Sequence, residues 1–210
     1  MGAVMHDRPQ EAQSQQTLAR VLVPLARREI AQALDLPAVE VDLSLPRLHE
    51  AGATFVTLTR QGSLRGCIGS LQAYRPLLQD IRANAHAAAF RDPRFAPLQP
   101  EELATTGIEV SLLSAMQPLQ YRDEQEAWAQ LRVGEDGVVF EFGSQRSTFL
   151  PQVWEQLPAV SDFMARLKQK AGLPATFWHA DVRLHRYTVQ KFREADAGTD
   201  DAVDQRRVTA

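Results

Sequence analysis

The chain has 210 residues, 44% hydrophobic and 23% charged, with a formal net charge of -3. That length suits a globular domain with or without an accessory lobe, and the slightly negative balance gives nucleic-acid binding no general basic field to rest on. One cysteine excludes an internal disulfide framework and a thiolate metal cluster within one chain, in keeping with a reducing, cytoplasmic compartment. No run is long enough to span a bilayer, so no membrane partner is expected, and the first residues do not read as a secretion signal.

In chain order, residues 1–13 are polar and read as a loose terminus. Leu18, Leu22, Leu25, Ile30 and Leu34 recur on one face and predict a helix over residues 14–34, which Pro24 either kinks or divides. Residues 38–49 read as a connector. Ala53–Thr59 has strand character, Gln61-Gly62 is a turn, and Leu64–Leu71 forms the second arm of a hairpin. That arm holds the most distinctive segment, Leu64-Arg65-Gly66-Cys67-Ile68-Gly69, with the single thiol between two glycines. Gly66 and Gly69 weaken an ordinary strand and make sense where the backbone bulges or is closely approached.

A second helix is expected over residues 75–90, with Leu77, Leu78, Ile81, Ala85 and Ala88 as its apolar stripe and Arg75, Gln79, Arg82 and His86 on another face. Pro93 and Pro97 bar its continuation. Residues 107–114 alternate as a strand, 121–131 suit a short helix, and 133–142 read as strand, glycine turn, strand. A turn at 143–147 precedes extended chain, residues 158–171 form a helix capped by Gly172, and 178–192 are strand-like before a loose terminus at 196–210. The fold class is α+β, mostly antiparallel sheet packed with helices.

The segment Leu64–Gly69 resembles the AMMECR domain family. Ala88-Ala89-Phe90-Arg91-Asp92-Pro93-Arg94-Phe95-Ala96-Pro97-Leu98 is similar to the family's second signature and Ile108-Glu109-Val110-Ser111-Leu112-Leu113-Ser114 to its third. Phe149-Leu150-Pro151-Gln152-Val153-Trp154 and Lys170-Ala171-Gly172-Leu173 follow in family order, so the likeness runs from about Thr17 to Phe192. It implies a domain over residues 14–195 built from a larger sheet-and-helix part and a smaller, intimately packed lobe, with an intervening cleft. Bacterial members are often named AmmeMemoRadiSam system protein A and are associated with a Memo-like protein and a radical-SAM protein. Those two are the partners the resemblance implies, alongside a small-molecule ligand. Their metal and iron–sulfur chemistry does not transfer to this chain, and the resemblance assigns no reaction.

Cys67 reads either as a small buried thiol or as the reactive group of a cleft, where Arg65 favours thiolate and exposed amides of Gly66 and Gly69 receive an anion. Glu109, in an otherwise apolar strand, is a candidate acid or base near the thiol, or a cross-strand partner of Arg65. His86 is the third catalytic candidate as the histidine nearest in sequence, although its register groups it with Arg82 and Gln79 on a solvent-facing stripe. Asp92 braces its turn, and Arg94 either pairs with an acid or grips a ligand carboxylate or phosphate. Asn84 bridges backbone groups or faces the site. The catalytic candidates are thus Cys67, Glu109 and His86, and the substrate-binding candidates Arg65, Gly66, Gly69, Asn84, Asp92 and Arg94. His49, His86, His179 and His185 lack compact metal-ligand spacing, and no residue pattern names a cofactor. Trp128, Trp154 and Trp178 read as packing anchors. Two functions remain: a cytosolic small-molecule enzyme or enzyme accessory with a cleft around Cys67, Arg65 and Glu109, or a noncatalytic binding or assembly protein.

Overall fold

The structure, a computed structural model, describes residues 8–194 in backbone and 17–194 in side chains. Expectations for residues 1–7 and 195–210 lie outside these bounds. The elements run α1 (Arg8–Ala33), β1 (Ala51–Gly52), β2 (Thr54–Arg60), β3 (Ser63–Gly69), β4 (Arg75–Pro76), α2 (Leu77–Phe90), α3 (Pro100–Leu103), β5 (Thr106–Leu113), β6 (Gln117–Pro118), α4 (Glu124–Ala129), β7 (Gly137–Phe142), β8 (Gln145–Phe149), α5 (Val160–Lys170), β9 (Arg183–Tyr187) and β10 (Val189–Arg193). Helices packed on antiparallel sheets make the α+β class. The chain divides into two compact units, one reaching Leu112 and resuming at Lys191, the other Leu113–Gln190.

In the first unit α1 begins at Arg8, ahead of the expected Ser14, and runs through Pro24. The lost amide donor is offset by burial: Leu22, Val23, Leu25, Ala26 and Ile30 are all at most 1% exposed. Gln61 and Gly62 both have positive φ, 51° and 77°, as a two-residue hairpin turn between β2 and β3 requires. Arg75 and Pro76 do not open α2 as expected. They form β4, which pairs with β1, and Pro76 caps the helix.

The larger sheet of this unit has the order β10-β5-β2-β3, with β2 antiparallel to both β3 and β5. Strand alternation gives it two unlike faces. Val56, Leu58, Ile68, Ile108, Val110, Leu112 and Phe192 join the core built with α1 and α2. Phe55, Thr57, Cys67, Glu109, Lys191 and Arg193 alternate with them and occupy the opposite face.

α2 is tied to the sheet by a buried polar network as well as by its apolar stripe. Asp80, fully buried, accepts hydrogen bonds from Thr54 N (2.7 Å), Thr54 Oγ1 (2.7 Å), Asn84 Nδ2 (2.9 Å), Ser70 Oγ (2.8 Å) and Arg75 Nε (2.8 Å). Asn84 Nδ2 also donates to the Thr54 carbonyl at 3.0 Å. One carboxylate thus joins the start of β2, the residue after β3, β4 and α2.

In the second unit the sheet order is β6-β9-β7-β8, and Val138, Phe140 and Leu184 meet Phe163, Met164 and Leu167 of α5. The expected strand before Gly137 does not form. Arg132 instead donates through N and Nη2 to buried Asp136, closing a turn. The expected 178–192 strand is broken into β9 and β10. Trp154 is an anchor as expected: it stacks on Phe163 at 3.7 Å between centroids, and its Nε1 donates to the Asp136 carbonyl.

Asp80→Ala leaves Arg75 and the Thr54 amide without their acceptor in the interior. The expected loss is about 3 kcal/mol, read as a lowered urea midpoint with unchanged slope.

Candidate functional site

β3 is an edge strand, and its outer side is covered at one place. Cys67 N donates to Asp92 Oδ2 at 2.9 Å, and the Cys67 carbonyl accepts from Arg94 Nη2 at 3.3 Å. Asp92 and Arg94 are joined by a two-armed ion pair, Nε to Oδ1 at 2.9 Å and Nη2 to Oδ2 at 2.7 Å, and Asp92 Oδ1 also accepts from the Arg94 amide. The pair takes the place of a neighbouring strand. The Asp92-Pro93-Arg94 turn after α2 is what brings it there. Arg94 hydrogen bonding, with the Cys67 amide adding to it, holds the Asp92 carboxyl well below the ordinary carboxylate range, against the opposing effect of burial.

With its amide and carbonyl turned outward, Cys67 forms a non-hydrogen-bonded pair with Thr57, the kind that brings side chains closest. Thr57 Oγ1 lies 3.4 Å from Cys67 Sγ. Thr57 is also in register with Glu109 on β5. Cys67, Thr57 and Glu109 therefore form one row across three strands, on the face turned away from the helices. The row continues to β10, where Arg193 Nε donates to Glu109 Oε2 at 2.7 Å and Lys191 Nζ lies 3.8 Å from Oε1. Cys67 is half-buried.

The two glycines have internal reasons. A Cβ on Gly66 would lie 2.2 Å from the Ala88 carbonyl oxygen, so α2 packs against that backbone. A Cβ on Gly69 would lie 2.3 Å from the Phe55 ring. The close approach expected at both is made by the protein itself. The bulge falls between them and the turn: Leu58 pairs with Gly66 but Thr59 with Leu64, which leaves Arg65 as the extra residue.

Other candidates part company with the thiol. Arg65 pairs with Glu102 of α3, Nη2 to Oε2 at 2.9 Å, and not with Glu109. Arg60 Nη1 meets the same carboxylate at 2.8 Å. Arg65, then the Gln99 amide, holds the Glu102 carboxyl at about 2, below its ordinary 4.5. Asn84 bridges Thr54 and Asp80 on the helix side of the sheet. His86 packs its ring on Phe90 at 5.0 Å and lies about 200° around α2 from Asn84 and Ala88, which face the sheet. The sheet separates both from the thiol side chain. Glu109 shares the face of Cys67, yet one strand intervenes, about 10 Å between Cα atoms, and its carboxylate is engaged by β10.

Thr57, Lys191, Arg193, Asp80 and Glu102 were not singled out from sequence. Alternation around buried Phe192 was the available signal for Lys191 and Arg193. Chemically, the row offers a thiol, a hydroxyl and a carboxylate flanked by two cations. Among the described residues neither the thiol nor the hydroxyl has a histidine partner, and the Cys67 amide is already engaged by Asp92. Among the described residues no group of three or more His, Cys, Asp and Glu could hold a metal ion, and no helix is long and apolar enough to cross a membrane.

The AMMECR1 family model matches residues 23–192. The chain belongs to the AMMECR1 family. A protein from Methanothermobacter thermautotrophicus is 35% identical over 191 residues, covering 83% of this chain and 93% of its own length. One from Saccharolobus solfataricus is 36% identical over 200 residues, covering 89% and 86% respectively. The crystal structure of an uncharacterised protein from Pyrococcus horikoshii aligns with a TM-score of 0.69 at 34% identity, covering 82% of this chain and 89% of that one. None of these names carries an activity. The Cys67 row and its Asp92–Arg94 clamp lie within the AMMECR1 match.

Both lowered carboxyls of this AMMECR1 domain make folding stability depend on acid. Their contribution is complete above the unfolded values near 4 and is lost as pH falls through the folded ones, toward about 2 for Glu102. Between pH 5 and 2, the melting temperature of the wild type is expected to fall more steeply than that of Glu102→Gln or Asp92→Asn. Parallel curves from circular dichroism would count against these ion pairs.

Proposed function

We propose that this chain is a cytosolic small-molecule-binding protein, acting as an enzyme accessory or enzyme, whose site is the face of the β10-β5-β2-β3 sheet that carries Cys67. The observation that carries this reading is the row Cys67–Thr57–Glu109. It sets a half-buried thiol and a hydroxyl on a polar sheet face, with the cysteine backbone clamped from outside by Asp92 and Arg94. A thiol held this way has a fixed position without being sealed in the core. Binding is favoured over nucleophilic catalysis, because among the described residues Sγ meets a threonine hydroxyl and no histidine base. A reaction at sulfur would draw its base from the ligand or from a partner protein.

The test is modification of the folded protein by iodoacetamide across pH 6 to 10, followed by mass spectrometry. Cys67 is expected to react in the folded state, within about tenfold of a free thiol, with its rate rising as thiolate forms. Reaction only after unfolding would overturn the reading.

A second reading, assembly with a Memo-like or radical-SAM protein, draws support from two exposed apolar side chains, one near the start of β3 and one beyond its end. Leu64 is 43% exposed and Tyr74 69% exposed. If they anchor a partner, Leu64→Asp with Tyr74→Ser abolishes co-elution with a Memo-like protein from the same genome and leaves Cys67 modification unchanged. Co-elution that survives both substitutions removes this surface from consideration.

A further inference from the structure

We infer that the ligand of this site carries a carboxylate, received by Arg94 at the edge of β3 beside Cys67. The inference rests on the binding reading above and adds the chemical class of the ligand and the residue that holds it. A guanidinium is a planar fork of N–H donors with no acceptor of its own. Asp92 takes Nε and one hydrogen of Nη2, and the Cys67 carbonyl takes the other. Among the described residues nothing accepts from Nη1, on a side chain that is 53% exposed. Asp92 thus fixes the fork through its Nε–Nη2 edge and leaves Nη1 as the nitrogen with donors to spare.

The surroundings favour an anion. Phe95 lies beside two guanidiniums, Arg94 at 5.4 Å and Arg65 at 6.0 Å from its centroid, which brings the Asp92–Arg94 pair next to the Arg60–Glu102–Arg65 trio. In this cluster three cations face two carboxylates. Exposed Arg91 and Glu101 add one charge of each sign and leave that balance unchanged. The carboxylates are the covered members: Asp92 and Glu102 are 2% and 16% exposed, against 41% for Arg60. Arg65 Nη1 is buried with no acceptor, a further donor that the protein's own oxygens do not meet. A single carboxylate is a better match than a phosphate dianion, because Asp92 repels a second negative charge brought to the same guanidinium.

Arg94 Nη2 lies 3.3 Å from the Cys67 carbonyl oxygen, so an oxygen bonded to Nη1 falls within about 9 Å of that carbonyl. The guanidinium is also in electrostatic reach of the sulfur. Arg94 is held above the ordinary arginine range chiefly by hydrogen bonding to Asp92, with a smaller share from the charge of a Cys67 thiolate. A molecule with a few bonds between its carboxylate and the group that meets sulfur joins the two.

The experiment uses the full chain and the iodoacetyl derivatives of glycine, β-alanine and γ-aminobutyrate, each as free acid and as primary amide. Cys67 modification is followed by mass spectrometry, and rates are referred to the same reagents acting on denatured protein. In the wild type the acid of the best-fitting length is expected to react about fivefold faster than its amide. The preference should be lost in Arg94→Gln and reduced in Arg94→Lys, which keeps the charge without the second edge of the fork. It should survive in Arg60→Gln, which removes the neighbouring exposed cation and leaves Arg94 paired. Equal acid and amide rates at every length in the wild type overturn the inference, whatever the variants do. A preference that persists in Arg94→Gln, or that Arg60→Gln abolishes as fully, overturns the role of Arg94. If the amides modify folded protein and no acid preference exists, the binding face stands and its carboxylate ligand fails. If no reagent reaches Cys67 before unfolding, the binding reading itself fails.

Discussion

The fully buried carboxylate of Asp80 fixes the geometry from which the rest of the first unit follows. A charged group in the interior is tolerated only when its oxygens are fully satisfied. Here five donors from Thr54, Asn84, Ser70 and Arg75 satisfy it. Because two of them are the amide and hydroxyl of Thr54, the first residue of β2 is held against α2 in one register. Parity along β2 then settles that Val56 and Leu58 face the helices and that Thr57 faces away.

The sheet acts as a partition. Asn84 and His86 ride on α2, and Cys67 projects from the other side, so side chains that are close in sequence cannot meet across it. The residues that do share the thiol's face come from β2, β5 and β10, the last more than a hundred positions away in the chain. The Asp92–Arg94 pair escapes the partition by reaching around the edge of β3 to its main chain. Glu102 uses the same edge region to collect Arg60 and Arg65, which leaves the Cys67 row free of Arg65.

Much of the fold was legible because local chemistry and tertiary need agree. Gln61-Gly62 announced the hairpin, and the apolar stripe of α2 and the capping glycine at 172 gave their helices to within a few residues. At Pro24, where a kink and a break were both open, the helix continues unbroken, and α2 starts at Leu77, two residues later than expected, for one reason. Proline's local cost was visible, while the burial or strand pairing that outweighs it depends on distant residues. The site was legible in part. The Cys67 segment and Asp92 stood out by composition, and a bracing Asp92 and an acid partner for Arg94 were among the readings, though not that each is the other's partner. Its attachment to the Cys67 backbone, the role of Thr57 and the choice of Glu102 over Glu109 by Arg65 are products of strand register. Register is a long-range property that spacing within one segment does not encode.

The bulge at Arg65 makes the β2–β3 hairpin a device that assigns faces. Between the turn and Gly66 one strand carries a residue more than the other, and that single surplus places Gly66 under the Ala88 carbonyl and the thiol on the opposite side. Were Arg65 kept in the ladder opposite Leu58 instead of bulged out, Cys67 would oppose Val56 and its side chain would turn toward the core built with the helices. What decides the direction of the thiol is therefore that the extra residue is bulged out of the ladder. An evolutionary lineage could exchange the exposed side chains at its tip, or even lose the surplus residue, without disturbing the pairs beyond. Any residue gained on one arm would have to be looped out, as Arg65 is, for the thiol to keep its face.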